Sequence, residues 1–237
     1  MKEFVKKVLK SCALGKLIYE PLHTLYRLYS VPHRRRMLKK RGVEVLADII
    51  MIFRKHNIPG YAACGTMLGF VRDGGFMPHD DDIDVAVLPG EWTPVRVLRT
   101  MLDEGFEYVF GFAYGGHLDE FKLRWKGIPI DFFFYEDDGE HFNSSVYYYL
   151  PDVKYPSPNA NTVMKFPEMR IRDLTTVRVY GIDVPVPNPP EAACADHFGA
   201  TWNVPQAGYD GSKNSRLKMM SGFGYSISKE EALALKD

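Results

Sequence analysis

Hydrophobic and polar positions along the chain repeat with two different periods, and each period predicts one type of element. Apolar side chains recur at helical spacing from Val43 to Asn57, and Pro59-Gly60 ends the run, which predicts a helix. Three more helices are predicted from their end signals: from Thr93-Pro94 to Gly105, from Asn188-Pro189-Pro190 to Gly199, and after the capping box of Ser228 and Glu231.

Strands are predicted where short apolar runs lie between turn-forming residues. Thr66 is predicted to cap a brief helix that runs through Val71, and Asp73-Gly74-Gly75 is predicted to form a turn. Residues 138–174 are aromatic and rich in turn formers but have no clear period, so they are predicted to be mostly loop. The predicted strands span residues 61–65, 83–88, 106–114, 120–126 and 128–135, with a hairpin over 176–186 that turns at Gly181.

This order of elements has no internal repeat and no low-complexity linker, and it predicts an α/β (α+β) fold in which helices flank a mixed sheet. With 237 residues, of which 46% are hydrophobic, the chain is long and apolar enough to bury one medium-sized core. A single domain with a helical front is therefore the simplest organisation.

The first 41 residues form a distinct basic segment. They hold twelve of the 30 Lys and Arg residues but two of the 30 Asp and Glu residues. Apolar side chains at helical spacing between residues 4 and 29 predict an amphipathic helix with a break near Pro21. The chain is therefore divided into residues 1–41 and residues 42–237. Two interpretations of the basic segment stay open: a helix that packs on the domain, and an interfacial helix that lies on an anionic membrane.

Charge and cysteine usage exclude several classes of protein. The chain after residue 41 is net acidic, which argues against broad nucleic-acid binding. Three widely spaced cysteines without a CxxC pair indicate a reducing compartment. We find no apolar run of membrane-spanning length and no leader pattern. The expected location is cytoplasmic, and peripheral binding to the inner membrane face is the alternative left open.

The most unusual chemistry in the sequence is the run His79-Asp80-Asp81-Asp82-Ile83-Asp84 at the start of an apolar strand. Alternate strand residues share a face, so Asp82 and Asp84 project together, about 6.6 Å apart along the chain. Two carboxylates on one face repel each other unless a hard cation such as Mg²⁺ or Mn²⁺ binds between them. A solvated acidic turn is the competing interpretation, and it is sufficient for Asp80 and Asp81.

A third acid favours the metal interpretation. Asp131 lies within the very apolar run Ile128–Tyr135, where an unpaired carboxylate is rarely kept. A cation shared with Asp82 and Asp84 would explain it. Gly65-Thr66 lies where a strand meets a helix N-terminus, a place at which backbone N–H groups and a hydroxyl can hold phosphate. Together these residues predict a phosphoryl-transfer site.

The same residues carry a family resemblance. The run Gly65-Thr66-Met-Leu-Gly69-Phe-Val-Arg72, followed by Gly75-Phe-Met-Pro-His-Asp-Asp-Asp82-Ile-Asp84, resembles the signature of the LicD and fukutin-related phosphotransferases, a branch of the nucleotidyltransferase fold. The similarity continues more loosely through Ile130-Asp131-Phe132 to Pro205 and covers roughly residues 43–205. Phe198 stands where the family usually has Tyr. Residues 1–41 and the last thirty residues lie outside it.

The resemblance implies a metal-dependent enzyme that transfers a substituted phosphate from CDP-choline, CDP-glycerol or CDP-ribitol to a sugar hydroxyl of a glycan or lipid-linked acceptor. Asp82, Asp84 and Asp131 would hold Mg²⁺ or Mn²⁺, and Asp131 would also orient or deprotonate the acceptor hydroxyl. Gly65 and Thr66 would bind phosphate, and CMP would leave.

Basic residues near the acids have competing roles. Arg72 is expected to steady the leaving phosphate or to form a salt bridge with Asp73 or Asp80. Lys122 shares a strand face with Arg124 and Lys126 and is expected to reach the donor phosphates, whereas its two neighbours are expected to be solvated. His79 is expected to support the site without binding the metal.

Two other functions compete with this expectation. A nucleotidyltransferase that moves NMP from an NTP to a hydroxyl would use the same three carboxylates. The Pro78-His79 context and the fifteen residues between Thr66 and Asp82 favour the phosphotransferase. A catalytically inactive binding module on the same fold is the other alternative, and the presence of all three acids argues against it.

Overall fold

The computed structural model describes residues 13–150, 152–206 and 211–236. Its first element is one long helix, α1 (Ala13–His56). The helix continues through Pro21, so the break expected there is wrong, and it also crosses the boundary proposed at residue 41 without interruption. The start of the predicted basic helix, residues 4–12, lies outside the described residues. The division into residues 1–41 and 42–237 stays a prediction.

The sheet is large and mixed, and helices flank it, which confirms the predicted fold class. The strands of the main sheet are β1 (Gly60–Ala62), β2 (Ile83–Val87), β3 (Glu107–Tyr114), β4 (His117–Trp125), β5 (Ile128–Asp137), β6 (His141–Tyr148), β7 (Ala160–Met169) and β10 (Lys218–Ile227). The order is β1-β2-β5-β4-β3-β10-β7-β6, and β6 also pairs with β5, so six of these strands form a closed ring of pairings. A separate hairpin joins β8 (Leu174–Val179) to β9 (Ile182–Pro187).

The shorter helices lie between and after the strands. They are α2 (Cys64–Leu68), which continues into a π-helical turn at Gly69–Asp73, then α3 (Pro94–Asp103), α4 (Pro190–Phe198) and α5 (Lys229–Ala234), with a 3₁₀ turn at Gly211–Lys213. Thr93 caps α3 through the N–H of Arg96, and Ser228 and Glu231 form the predicted capping box of α5. The N-cap of α2 is Ala63 and not Thr66, so that capping prediction is wrong.

Residues 138–174 differ most from the expectation, because they contain the two long strands β6 and β7 where loop was predicted. These strands pair with each other over eight residues in register. Their central position is polar: Lys165 of β7 donates to Ser145 of β6 and lies 2.9 Å from Glu136 of β5. Such polar residues mask the two-residue hydrophobic period on which the strand prediction depends.

The main core lies between one face of the sheet and the helices α1, α3 and α5. Ile83, Val85 and Val87 of β2 are buried in it, as their alternation with the acids predicts. Helix α1 contributes Leu38 and Ile49, which are 2% and 0% exposed. The part of α1 that follows Ser30 is therefore packed on the domain.

Candidate active site

The register of three neighbouring strands brings the predicted acids together. Asp84 of β2 is the parallel partner of Asp131 of β5, and Asp131 is the antiparallel partner of Lys122 of β4. Residues paired in register point to the same face of a sheet. Asp82 lies just before β2, two residues from Asp84, and joins them on this face.

Asp82, Asp84 and Asp131 form a triad in which one oxygen of each carboxylate lies within 4.8 Å of the others. Asp131 is 8% exposed, and its Oδ1 is buried without a hydrogen-bond partner among the described residues. A buried carboxylate oxygen without a partner is costly, and binding to a cation removes the cost. An all-oxygen ligand set suits Mg²⁺ or Mn²⁺, so the residues fit the metal that the sequence predicts.

Helix α2 fixes the backbone and the carboxylate of Asp84. The Asp84 N–H donates to Thr66 Oγ1 at 2.9 Å, and the Thr66 N–H donates back to Asp84 Oδ2 at 3.4 Å. The Ala63 N–H donates to the Asp84 carbonyl at 3.1 Å. Thr66 is buried, so its hydroxyl positions a triad acid; a direct contact with phosphate stays a prediction.

Two glycines of the motif lie where a neighbouring part of the chain comes too close for a side chain. A Cβ on Gly65 would lie 3.3 Å from Asp84 Oδ2, so glycine leaves open space beside the triad. A Cβ on Gly69 would lie 2.6 Å from the Gly75 carbonyl oxygen, a distance that no side chain tolerates. The motif therefore encodes the close packing of α2 against the turn that leads to Asp82. Phosphate binding by Gly65 stays a prediction.

Lys122 neutralises part of the triad. Its Nζ lies 2.8 Å from Asp131 Oδ2 and 3.3 Å from Asp82 Oδ2. Burial alone would lower the pKa of Lys122, but the negative charges of Asp131 and Asp82 outweigh it and raise that pKa above its usual value. The ammonium group therefore stays charged and acts as an internal counter-ion.

The pKa values of the acids reflect their crowding. Burial, and then the charges of Asp82 and Asp131, raise the pKa of Asp84 well above its usual range. Burial also raises the pKa of Asp131 to about 7, even though Lys122 opposes the change. Groups that are difficult to ionise side by side are typical of a site built for a multivalent cation.

The other acids of the HDDDID run have structural partners. Asp80 accepts the Met77 N–H at 2.8 Å, and burial raises its pKa to about 6. Asp81 pairs with Arg34 of α1, whose Nε donates at 2.7 Å. His79 is exposed, and its Nε2 lies 4.0 Å from Asp80. Asp80 and Asp81 lie in a turn, as expected, but the expected solvation is wrong, because both carboxylates are largely buried and paired. The Arg34 contact with Asp81 also attaches α1 to the site.

Arg72 adopts the structural role that was left open for it. Its guanidinium forms a salt bridge with Asp73 at 2.7 Å and also donates to the Trp202 carbonyl at 3.4 Å. The same arginine borders a cleft next to Gly65. A contact between Arg72 and a leaving phosphate stays a prediction.

One acid near the triad was not predicted from the sequence. Glu120 lies two residues before Lys122 on the same face of β4, and burial, then the charge of Asp131, raises its pKa to about 8. The sequence shows that Glu120 alternates with the apolar Phe121. This pattern predicts a solvated charge as long as the neighbouring strands are unknown. Cys64 also lies near the triad, and burial raises the pKa of its thiol, so it is a poor nucleophile.

Two clefts border residues that contact the triad. One, of about 680 Å³, lies between α1 and the sheet and includes Lys122, the partner of Asp131. The other, of about 570 Å³, lies beside Gly65 and Arg72 and is also lined by residues that follow α4. Both are within the size range of small-molecule sites.

Comparison with known proteins agrees with this geometry. Residues 57–189, more than half of the chain, match the family described as LicD/FKTN/FKRP, nucleotidyltransferase domain. The chain is also similar to Ribitol-5-phosphate transferase FKTN of Mus musculus, with 22% identity over 179 residues, which cover 73% of this chain and 36% of that protein. It therefore spans about a third of that relative's length. The match contains the triad and the Gly65–Arg72 motif, and the chain belongs to the LicD family.

Proposed function

We propose that this protein is a divalent-metal-dependent phosphotransferase that moves a substituted phosphate from a CDP-linked donor to a sugar hydroxyl of a glycan or glycolipid. The observation that carries the proposal is the triad of Asp82, Asp84 and Asp131, with one buried carboxylate oxygen left unpaired. Membership of the LicD family supports the reaction class. The name of the mouse relative favours CDP-ribitol over CDP-choline and CDP-glycerol as the donor to test first.

Each residue of the site has a role in this reaction. Asp82, Asp84 and Asp131 would hold Mg²⁺ or Mn²⁺, which supplies Lewis-acid stabilisation of the phosphate charge when bound. Thr66 holds Asp84 in place through its hydroxyl. Lys122 carries a positive charge beside the acids and would stabilise the phosphate oxygens of the donor. Gly65 leaves the space beside Asp84 open.

The reaction is a substitution at the phosphorus that carries the head group. A bond forms between the acceptor oxygen and this phosphorus, the bond from phosphorus to the bridging oxygen breaks, and CMP leaves with that electron pair. The proton of the acceptor hydroxyl passes to a carboxylate, for which Asp131 is our candidate. No net oxidation occurs, and no further reactant is needed.

A donor screen tests the proposal. Purified protein is incubated with CDP-ribitol, CDP-glycerol, CDP-choline and NTPs, with Mn²⁺ or with EDTA, and the release of CMP and pyrophosphate is measured. We expect CMP from at least one CDP compound with Mn²⁺ and none with EDTA. Pyrophosphate release from an NTP would instead support the nucleotidyltransferase, and no release from any compound would contradict both enzymes.

We also propose that the segment before Ser30 binds an anionic membrane surface. Leu25 and Leu28 of α1 are 62% and 68% exposed, and the chain before them is basic. From Ser30 onward the helix is attached to the domain, as the buried Leu38 and the Arg34 contact with Asp81 show. Within the part of the chain that the structure describes, no helix has the length and apolarity needed to cross a bilayer.

A further inference from the structure

We infer that Arg34 of α1 is a positioning residue for the metal site: it holds Asp81, and through Asp81 it fixes the neighbouring triad acid Asp82. The inference rests on the proposed function, because it presumes that the triad binds a divalent cation. It also goes beyond the family match, since α1 (Ala13–His56) lies entirely before the matched residues 57–189. The role is therefore argued from the contacts of this chain alone.

Asp82 differs from the other two acids in how its backbone is held. Asp84 and Asp131 lie within β2 and β5, which pair with each other in register. Asp82 comes just before β2, at the end of a segment, residues 74–82, that contains neither helix nor strand. The position of Asp82 therefore depends on the contacts that this segment makes with the rest of the protein.

Two successive arginines of α1 supply such contacts. Arg34 Nε donates to Asp81 Oδ2 at 2.7 Å, and Arg35 Nε donates to the His79 carbonyl at 3.0 Å. In the Arg34 contact both donor and acceptor are ionised, which makes it stronger than a neutral hydrogen bond. Helix α1 therefore holds the segment at two points, and the second is the direct neighbour of Asp82.

The helix side of this contact is firmly placed. Ser30, one turn before Arg34, is 7% exposed, and its hydroxyl accepts another N–H of the guanidinium at 3.5 Å. Leu38, one turn after Arg34, is buried in the main core. A Cβ on Gly42 would lie 2.9 Å from the ring of Phe76, so α1 also packs closely against the start of the same segment. Arg34 therefore projects from a part of α1 that is fixed on the domain.

The neighbouring carboxylates of Asp81 and Asp82 have different partners. Asp81 contacts Arg34, whereas Asp82 Oδ2 accepts a hydrogen bond from Lys122 Nζ at 3.3 Å. The Arg34 and Asp81 side chains are 31% and 23% exposed, and a partly exposed ion pair contributes little to the free energy of unfolding. Contacts that orient metal ligands, in contrast, commonly change metal affinity about 10- to 100-fold. The main effect of the pair is therefore expected on the geometry of the triad.

Electrostatics and positioning predict opposite effects when this arginine is removed. The charge of Arg34 by itself opposes the binding of a divalent cation nearby, so its loss alone would tighten Mn²⁺ binding. If Arg34 acts by holding Asp81, the same change releases the turn and weakens Mn²⁺ binding. The direction of the change in Mn²⁺ affinity therefore distinguishes the two effects.

Titration of the purified protein with Mn²⁺, measured by calorimetry without nucleotide, tests the inference. We expect Arg34→Gln to weaken Mn²⁺ binding at least about fivefold. Its melting temperature in EDTA should stay within about 3 °C of that of the unmodified protein. Arg34→Lys keeps a charged donor for Asp81, and its Mn²⁺ affinity should lie within about twofold of the unmodified value.

Arg41→Gln is the matched control. Arg41 lies on the same helix, and its guanidinium donates to Glu44, also on α1, at 3.1 Å. The variant removes one positive charge from α1 but leaves the contacts with residues 79–81 in place. Its Mn²⁺ affinity should lie within about twofold of the unmodified value.

A double variant tests whether Arg34 acts through Asp81. In a protein that already carries Asp81→Asn, adding Arg34→Gln should cause no further loss of Mn²⁺ affinity, because the ion pair is already gone. A further loss as large as that of Arg34→Gln alone would mean that Arg34 acts by another route, and the inference would be wrong.

The remaining outcomes separate the inference from the proposed function. Unchanged or tighter Mn²⁺ binding by Arg34→Gln overturns the inference, and so does an equal loss in Arg41→Gln or the absence of rescue in Arg34→Lys. A fall of more than about 3 °C in the melting temperature of Arg34→Gln in EDTA would make Arg34 a general structural residue and also overturn it. In these cases the unmodified protein still binds Mn²⁺, and the proposed function stands. If the unmodified protein binds no Mn²⁺, the proposed metal-dependent function fails and the inference fails with it.

Discussion

The ammonium group of Lys122 lies 2.8 Å from Asp131, in the position where a cation shared by Asp131 and Asp82 would be expected. A bound metal would therefore compete with Lys122 for the same carboxylates. Without metal, Lys122 balances part of their negative charge, and we expect metal binding to displace its ammonium group.

This competition predicts the behaviour of Lys122→Met. Without metal, the variant should lose about 1–3 kcal/mol of unfolding free energy at pH 8, because three acids then repel one another without a counter-ion. With Mn²⁺, its melting temperature should rise more than that of the unmodified protein. Thermal unfolding with Mn²⁺ and with EDTA measures both effects.

Lys126→Met is the matched control for this experiment. Lys126 also contacts two carboxylates, Glu44 and Asp48, each at 2.6 Å, but both lie on α1 and outside the triad. Its Mn²⁺-dependent shift should equal that of the unmodified protein. An equal shift in Lys122→Met would contradict the competition between lysine and metal.

Asp82→Asn and Asp84→Asn should each lower turnover at least about 100-fold while the fold is kept. Each change removes the charge of a proposed metal ligand, a charge that the core does not require. Steady-state kinetics with the best donor, together with circular dichroism, measures the two outcomes. Turnover within tenfold of the unmodified enzyme, with either variant, would exclude that carboxylate as an essential ligand.

Asp131→Asn tests the third carboxylate independently of activity. The carboxylate would lose its charge and its unpaired Oδ1 would become part of an amide, so Mn²⁺ affinity measured by calorimetry should fall at least about tenfold. Asp119→Asn is a suitable control, since that acid of β4 is half-buried and accepts hydrogen bonds from the hydroxyls of Ser145 and Tyr147. Unchanged Mn²⁺ affinity in Asp131→Asn would leave Asp131 as a partner of Lys122 only.

Glu120→Gln should stabilise the metal-free protein at high pH. The unfolded chain loses this proton near the ordinary pKa of 4.5, whereas the folded protein holds it until about pH 8. Folding is therefore penalised increasingly as pH rises from 4.5 to 8, and the penalty is complete above pH 8. We expect a gain of about 1–3 kcal/mol at pH 9 and little change at pH 4.

Chemical denaturation at the two pH values measures this gain. Glu107→Gln serves as the control, because Glu107 is largely exposed and should show no pH-dependent change. A gain of equal size at both pH values would mean that Glu120 acts through packing and not through its ionisation.

Membrane binding is tested with the double variant Leu25→Ser and Leu28→Ser. The unmodified protein should float with anionic vesicles at low salt and less at high salt, while the double variant should float less in both. Val204→Ser is a control, since Val204 is also exposed but lies far from α1 along the chain, in the cleft beside Gly65 and Arg72. If the unmodified protein does not float with anionic vesicles, the proposed membrane binding is wrong.

The triad could be predicted from the sequence because two of its acids, Asp84 and Asp131, interrupt apolar strands. Asp84 and Asp131 are conspicuous for that reason, and the helices that flank them have clear caps and stops. The role of Lys122 could not be predicted, since its partner depends on which strand lies beside β4. Sequence spacing predicts which residues share one face of a strand, but it does not predict which strand lies next to it.

The strands β7 and β10 could not be predicted, because their local sequence has no clear two-residue period. In β10, the run Lys218–Ile227 contains two glycines and a register shift against β7, so its period is broken. In β7, Lys165 is buried only because Ser145 and Glu136 meet it from other strands. Long-range pairing determines these elements, and local preference does not.

The turn between β4 and β5 has a consequence for how the sequence can change in length. Lys126 and Gly127 both have positive φ, at 50° and 85°, and this two-residue turn fixes the pairing of Lys122 with Asp131. One inserted or deleted residue there would shift β5 by one position and turn Asp131 toward the core. Length variants at this turn should therefore be inactive, whereas the exposed turn at Asp138–Glu140 lies beyond the triad and should accept insertions.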